Sequence, residues 1–365
     1  MSEGSEETKI TCKGPLHRLD GELAARGWAT QPLLSYDRER IKAPRWRIKE
    51  WDYYLVGDDS YAVALTLSDL GYAGLVSASL IDFEQVAYKT TSVVTPLPLG
   101  RFKLPSSSKA GVSSFENNRV SFRFEAAKGV RTLSARFAQF DGDDDLTFEA
   151  VLDSEPRDSM VIATPWAEDS KAFYYNQKIV GMQACGSFKK GLQVHGFAPG
   201  NSFGLLDWGR GVWTRDNTWF WAVAQGWQDG KGGSEPGSHR FGLNLGYGFG
   251  DTSAASENML FVDGVAHKLH RVDFGVPEKV GLRDACKVAD RFDLLKAWHV
   301  TDDQNRLDLV FTPLLDRADF MDFALIRTDQ HQVFGRFDGT VVLDDGSPFR
   351  VVGLQGSAEV VHNVY

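Results

Sequence analysis

FGLLDWGRGVWTRDNTWFWAVAQGW, residues 203–227, carries five of the chain's ten tryptophans. Asp207 and Arg210 stand among Trp208, Trp213, Trp219 and Trp221. Indole rings supply apolar area and π faces, and a lone acid among them has its proton affinity raised by desolvation. Two readings follow. The stretch is a core strand pair holding a buried ion pair, or it is a site that grips a ligand and delivers a proton to it.

Working outward, residues 217–225 are apolar on both strand faces: Trp219, Trp221 and Val223 on one, Phe220, Ala222 and Ala224 on the other. In 241–250, Phe241, Leu243, Leu245, Tyr247 and Phe249 share a face, and Gly242, Asn244, Gly246, Gly248 and Gly250 share the opposite one. A strand face nearly free of side chains means close approach, by a ligand or by another backbone. Upstream, VSFRFEA, RTLSARFAQF and LTFEAVL alternate with the two-residue period of half-buried antiparallel strands. Asp-Gly recurs at 20–21, 141–142, 229–230, 263–264, 338–339 and 345–346, and several of these pairs separate alternating segments as hairpin turns do. Helical periodicity is confined to 282–298. The expectation is an all-β chain of antiparallel hairpins: an irregular lead-in over 1–40, a first β domain over 41–215 and a second over 216–365. The piece QPLLSYDRERIKAP, where the lead-in meets the first domain, is suited to packing across a barrel end.

Composition bounds the function. The 365 residues carry a net charge of −9 with no basic run, which argues against nucleic acid as a partner. No apolar stretch reaches the length of a membrane span, and MSEGSEETK is unlike a secretory signal. Cys12, Cys185 and Cys286 form neither a disulfide framework nor a metal spacing. A cytoplasmic protein is expected, with no cofactor and with a small molecule as its ligand.

Several motifs fail on context. GNSFG at 200–204 lacks the α/β surroundings of a nucleophile elbow, and GYGFG at 246–250 lacks the helix and lysine of a phosphate loop. His267 and His270 would face opposite sides of a strand, and FDGDDD at 140–145 lacks the glutamate of a calcium loop. Three polar groups remain: DTSAASEN at 251–258 with Asp251 and Glu257, YYNQK at 174–178 with Tyr175 and Asn176, and DQHQVFGRFDG at 329–339 with His331. Each residue alone reads as a satisfied hydrogen-bonding side chain; together at a barrel mouth they could surround Asp207.

KEWDYYLV (49–56), YYNQKIVGMQACGSF (174–188), LLDWGRGVW (205–213) and NTWFWAVAQGWQDG (217–230) fall in a familiar order. They resemble the AttH / carotenoid 1,2-hydratase (hydroxyneurosporene synthase-like) superfamily, and LDLVFTPLLD with GRFDGTVVLDDG resembles its late hairpin. Over about residues 30–365 the chain is also similar to a bacterial domain-of-unknown-function family numbered 2804, through IKEWDYY, DSMVIATP, FYYNQK, LDWGRGVW, YGFGDTSA and DQHQVFG. The distant resemblance implies two packed lipocalin-like (calycin) β-barrels and acid-initiated chemistry on isoprenoid alkenes, with Asp207 at the superfamily's Asp. Trp208 replaces the histidine of that motif, and Arg210 stands where the motif has no counterpart.

The resulting expectation is a lyase-, hydratase- or isomerase-like enzyme acting on a hydrophobic small molecule. Asp207 is its acid, Arg210 and Glu257 support it, and Trp208, Trp213, Trp219, Trp221, Tyr175, Asn176, Tyr247, Asp251 and His331 line the site. The alternatives are a non-catalytic lipid carrier with the same cavity, and a carbohydrate-active enzyme with two carboxylates in an open groove.

Overall fold

A computed structural model describes residues 7–231, 239–279, 287–323 and 326–365. The described chain is almost entirely β, in two large antiparallel sheets. It divides into two compact units, Ile10–Trp213 and Thr214–Tyr365, the latter joined by residues 7–9.

In the Ile10–Trp213 unit, strands Ile48–Gly57, Tyr61–Asp69, Ala73–Asp82 and Ala87–Pro96 form a meander. A second run joins Gly111–Glu116, Val120–Ala127, Val130–Asp141, Asp144–Asp153 and Phe173–Lys190. Phe203–Val212 lies between Ile48–Gly57 and Phe173–Lys190 and unites the two runs. The alternating segments bury every second residue, so Phe122, Phe137, Phe148 and Phe188 fill one core with Leu206 and Trp208. Each such phenyl contributes roughly 1.5–3 kcal/mol by leaving water. Phe203–Val212 is buried at every position because both of its faces are covered.

Among the described residues the Thr214–Tyr365 unit is a nine-stranded antiparallel sheet. Asp216–Gln228 pairs with His239–Tyr247 on one side and Pro348–Val364 on the other. Phe220, Ala222, Ala224, Phe241, Leu243 and Leu245 face its core. The Asp-Gly pairs at 141–142, 263–264 and 345–346 make hairpin turns, with Asp263 and Gly264 both at positive φ (51° and 79°). Asp338-Gly339 is no turn: it sits at a register shift inside the strand Ile326–Val342.

The helix expected over 282–298 is a correction. Residues 282–286 lie outside the described residues; from 287 to 298 the described chain holds a single helical turn, Val288–Arg291, and Trp298 begins a strand. Val288, Phe292, Leu294 and Trp298 are all buried in one core, and a chain folding back on itself achieves this without a continuous helix. Their spacing imitates helical periodicity. Among the described residues no helix is long and apolar enough to cross a membrane.

Candidate functional site

Asp207 and Arg210 are three residues apart on the extended strand Phe203–Val212, so they point to opposite faces of the sheet. The ion pair expected between them is a correction. Arg210 lies on the core side with Trp208 and is 0 % exposed. Its Nη1 and Nη2 each donate to Asp52 Oδ1 at 3.1 Å, and they also donate to the carbonyls of Trp51, Gly209 and Pro105 at 2.8 Å. Its guanidinium lies 4.1 Å from the centre of the Trp208 ring. Glu50 is the cross-strand partner of Arg210, with Oε1 at 3.9 Å from Nε.

Around Glu50 the core side opens. A groove of about 850 Å³ is lined by Lys13, Tyr36, Arg38, Arg40, Glu50 and Lys103 among others. The Tyr36 hydroxyl donates to Glu50 Oε1 at 2.8 Å, and Arg38 Nη1 pairs with Glu50 Oε2. Burial, and then the Glu50 charge, hold the Tyr36 phenol well above its ordinary pKa, so Tyr36 remains a neutral donor. Trp208 stands edge-on to both Tyr36 (6.2 Å) and Tyr175 (5.7 Å). Two buried donors, Arg38 Nη2 and Trp208 Nε1, have no acceptor among the described residues. Glu50 itself is only 2 % exposed.

The opposite face holds Asp207, 8 % exposed. It accepts from Asn176 Nδ2 at 2.6 Å and pairs with Lys178 Nζ at 3.2 Å. Lys49 is buried on the same face, 4.7 Å from the centre of the Tyr72 ring and 5.5 Å from that of Trp213, and burial pushes its ammonium down to about 7.

The family model of a domain of unknown function, DUF2804, matches residues 7–365. The chain belongs to this family. Among solved structures, kievitone hydratase from Nectria haematococca is similar at 11 % identity over 87 % of this chain and 88 % of that one, with a TM-score of 0.48. A putative AttH from Nitrosomonas europaea is similar at 12 % identity over 90 % and 96 %, with a TM-score of 0.47. No curated protein matches the chain.

The expected site residues of this family member divide between the units. Asp207, Trp208, Arg210, Trp213, Tyr175 and Asn176 belong to Ile10–Trp213; Trp219, Trp221, Tyr247, Asp251, Glu257 and His331 belong to the other unit. Within the first, Trp208, Arg210 and Tyr175 share the core side, and Tyr175 donates to the Leu34 carbonyl at 2.7 Å. Trp213 stands edge-on to Trp51 at 5.4 Å. In the second, Trp221 Nε1 donates to Asn244, whose Nδ2 donates to the Glu257 carbonyl. A Cβ on Gly246 would lie 2.6 Å from Glu257 Oε1, so at this position the glycine-rich face makes room for a side chain of the protein itself. Trp219 packs edge-on against Phe249, and Tyr247 stacks on Phe220 in the core. Asp251 closes a turn by accepting from Ser253 N.

His331 sits between two carboxylates, 2.7 Å from Asp316 and 3.3 Å from Asp329. Burial disfavours its charge, but the hydrogen bonds and charges of Asp316 and Asp329 outweigh burial and raise its pKa above 6.5. A raised folded-state pKa means that this stabilisation is fully present below pH 6.5 and is lost as pH rises through the higher value. Denaturation at pH 6 and pH 9 is expected to show a loss of stability that His331→Gln abolishes. An unchanged pH dependence in the variant would remove the assignment.

Sequence reasoning missed Tyr36, Arg38, Glu50 and Asp52. A signal was present in Glu50-Trp51-Asp52: two carboxylates with the same strand parity, inside a segment rich in aromatics, require an inward-facing cation.

Proposed function

We propose that the groove of the Ile10–Trp213 unit is a small-molecule site for general acid–base chemistry of the lyase or isomerase type. The observation that carries this reading is a nearly buried carboxylate, Glu50, on a groove wall, bonded to a neutral phenol and a guanidinium. Leu33, Pro15 and Leu104 add apolar surface, which suits an amphipathic, oxygenated substrate. In a dehydration, Glu50 takes a proton from the carbon next to a carbonyl. Arg38 Nη2, a donor with no acceptor among the described residues, holds the developing oxyanion, while the Tyr36 hydroxyl stays bonded to Glu50 and steadies the carboxylate. Glu50 then returns the proton to the departing hydroxyl, which leaves as water; hydration is the reverse. Acid–base chemistry belongs to Glu50 rather than to Asp207 because Glu50 lines the groove, whereas Asp207 lies on the opposite face of the sheet, bonded to Lys178 and Asn176.

The test is solvent-deuterium exchange at the α-carbon, together with turnover, across a panel of β-hydroxy carbonyl compounds. Glu50→Gln is expected to lower the rate about 100-fold or more. Tyr36→Phe is expected to lower it less, and Asp207→Asn to leave it within about threefold. Loss of activity in Asp207→Asn with Glu50→Gln fully active would place the chemistry on the opposite face.

A further inference from the structure

The charges on the groove wall do not balance. Four cations, Lys13, Arg38, Arg40 and Lys103, face only two carboxylates, Asp37 and Glu50. Both carboxylates are committed: Asp37 to Arg40 at 3.5 Å and Glu50 to Arg38. The side chains of Lys13 and Lys103 have no ion-pair or hydrogen-bond partner among the described residues. A local excess of positive charge in a chain of net charge −9 is not background.

Both lysines are held by backbone. Lys13 precedes Gly14–Pro15, which pairs with Leu34–Ser35. The loop carrying Lys103 is clamped by Asp69, 0 % exposed, which accepts from Gly71 N (3.0 Å) and Gly100 N (2.8 Å). Deeper in the same loop, Arg210 Nη2 holds the Pro105 carbonyl and Arg131 Nη2 holds the Ser108 carbonyl. Gly100, at φ 93°, lies against the Arg38 guanidinium, where a Cβ would meet Nε at 2.6 Å. The Arg38 Nη2 donor beside it has no acceptor among the described residues.

We infer that the ligand of this groove carries a compact oxyanion, a carboxylate or a phosphate monoester, bound between Lys13 and Lys103 at the mouth. The inference rests on the groove being the substrate site. Glu50 repels a second negative charge beside it, so the anion lies at the mouth and the reacting carbon lies toward Glu50 and Tyr36. About 850 Å³ accommodates a small molecule spanning both ends.

Isothermal titration of the full chain with benzoate, phenyl phosphate and benzamide tests this directly. The better of the two anions is expected to bind about tenfold more tightly than the neutral amide, with the gap closing at high salt. Lys13→Gln with Lys103→Gln is expected to erase that preference and leave benzamide unchanged; both side chains are exposed, so the fold is not at risk. The order of benzoate and phenyl phosphate identifies the oxyanion. Equal binding of anion and amide, a preference that survives the double substitution, or no anion binding would overturn the inference. The catalytic reading fails separately: an anion preference intact in the parent, beside full turnover in Glu50→Gln, leaves the ligand class standing and removes the acid–base role.

Discussion

Replacing Arg210 by Met is expected to destabilise the Ile10–Trp213 unit by about 3–5 kcal/mol, the range found when one member of a buried charge cluster is removed. The side chain is fully buried and donates to Asp52 and to three carbonyls on three stretches of chain. Removing it leaves Asp52 with Ser113 as its neighbour and strips Glu50 of one of its two nearby guanidiniums. It also frees the Pro105 carbonyl, one of the bonds that hold the loop on the groove wall. Arg210→Lys is expected to rescue little: an ammonium has three donors at one point and cannot span Asp52, Trp51 and Pro105 together. Urea denaturation followed by tryptophan fluorescence and by circular dichroism, read for the transition of this unit, measures the loss. The companion variant, Arg210→Met with Glu50→Gln and Asp52→Asn, is expected to recover part of it because no charge is left unpaired. A loss below about 1 kcal/mol would mean that water reaches these carboxylates.

The antiparallel fold was legible because alternation in VSFRFEA and LTFEAVL maps onto strands that bury every second side chain. Three of the Asp-Gly pairs fall in hairpin turns for the backbone reason that suggested them. The candidate site was less legible. A three-residue spacing on a strand already separates Asp207 from Arg210, so the geometry of that pair could have been read from parity alone. Tyr36 and Arg38 could not be read in this way. Tyr36 follows the strand Leu34–Ser35 and Arg38 opens the 3-10 turn Arg38–Arg40, and no local periodicity records their contact with Glu50. The apolar spacing around 288–298 misled because buried residues on a folded-back chain and on a helix share the same intervals. Asn244 and Gly246 invited a ligand that Glu257 replaces. Composition identifies a face that admits close approach, and the occupant is decided by residues distant in sequence.

Gly209→Ala is expected to cost about 3 kcal/mol or more, the upper range for forcing one extra carbon into a packed site. Gly209 sits directly across the ladder from Trp51, and a Cβ there would lie 1.9 Å from Trp51 Cζ2 and 2.2 Å from Cε2. The indole cannot retreat freely. It is stacked 6.0 Å from Tyr174 and stands edge-on to Trp213, which itself lies against Gly211, where a Cβ would be 2.6 Å from Trp213 Nε1. The two glycines of DWGRG are therefore seats for two tryptophans. Gly209 is absent from the positive-φ positions, so the expected cost is steric and not a backbone strain. That origin makes a double-mutant cycle decisive. Trp51→Ala alone destabilises by leaving a cavity, about 3 kcal/mol for a ring of that size. Gly209→Ala with Trp51→Ala should then cost less than the two single losses added together, by more than 1 kcal/mol, because the added methyl occupies space the indole has left. Strict additivity would show that Trp51 does not cover Gly209 in solution.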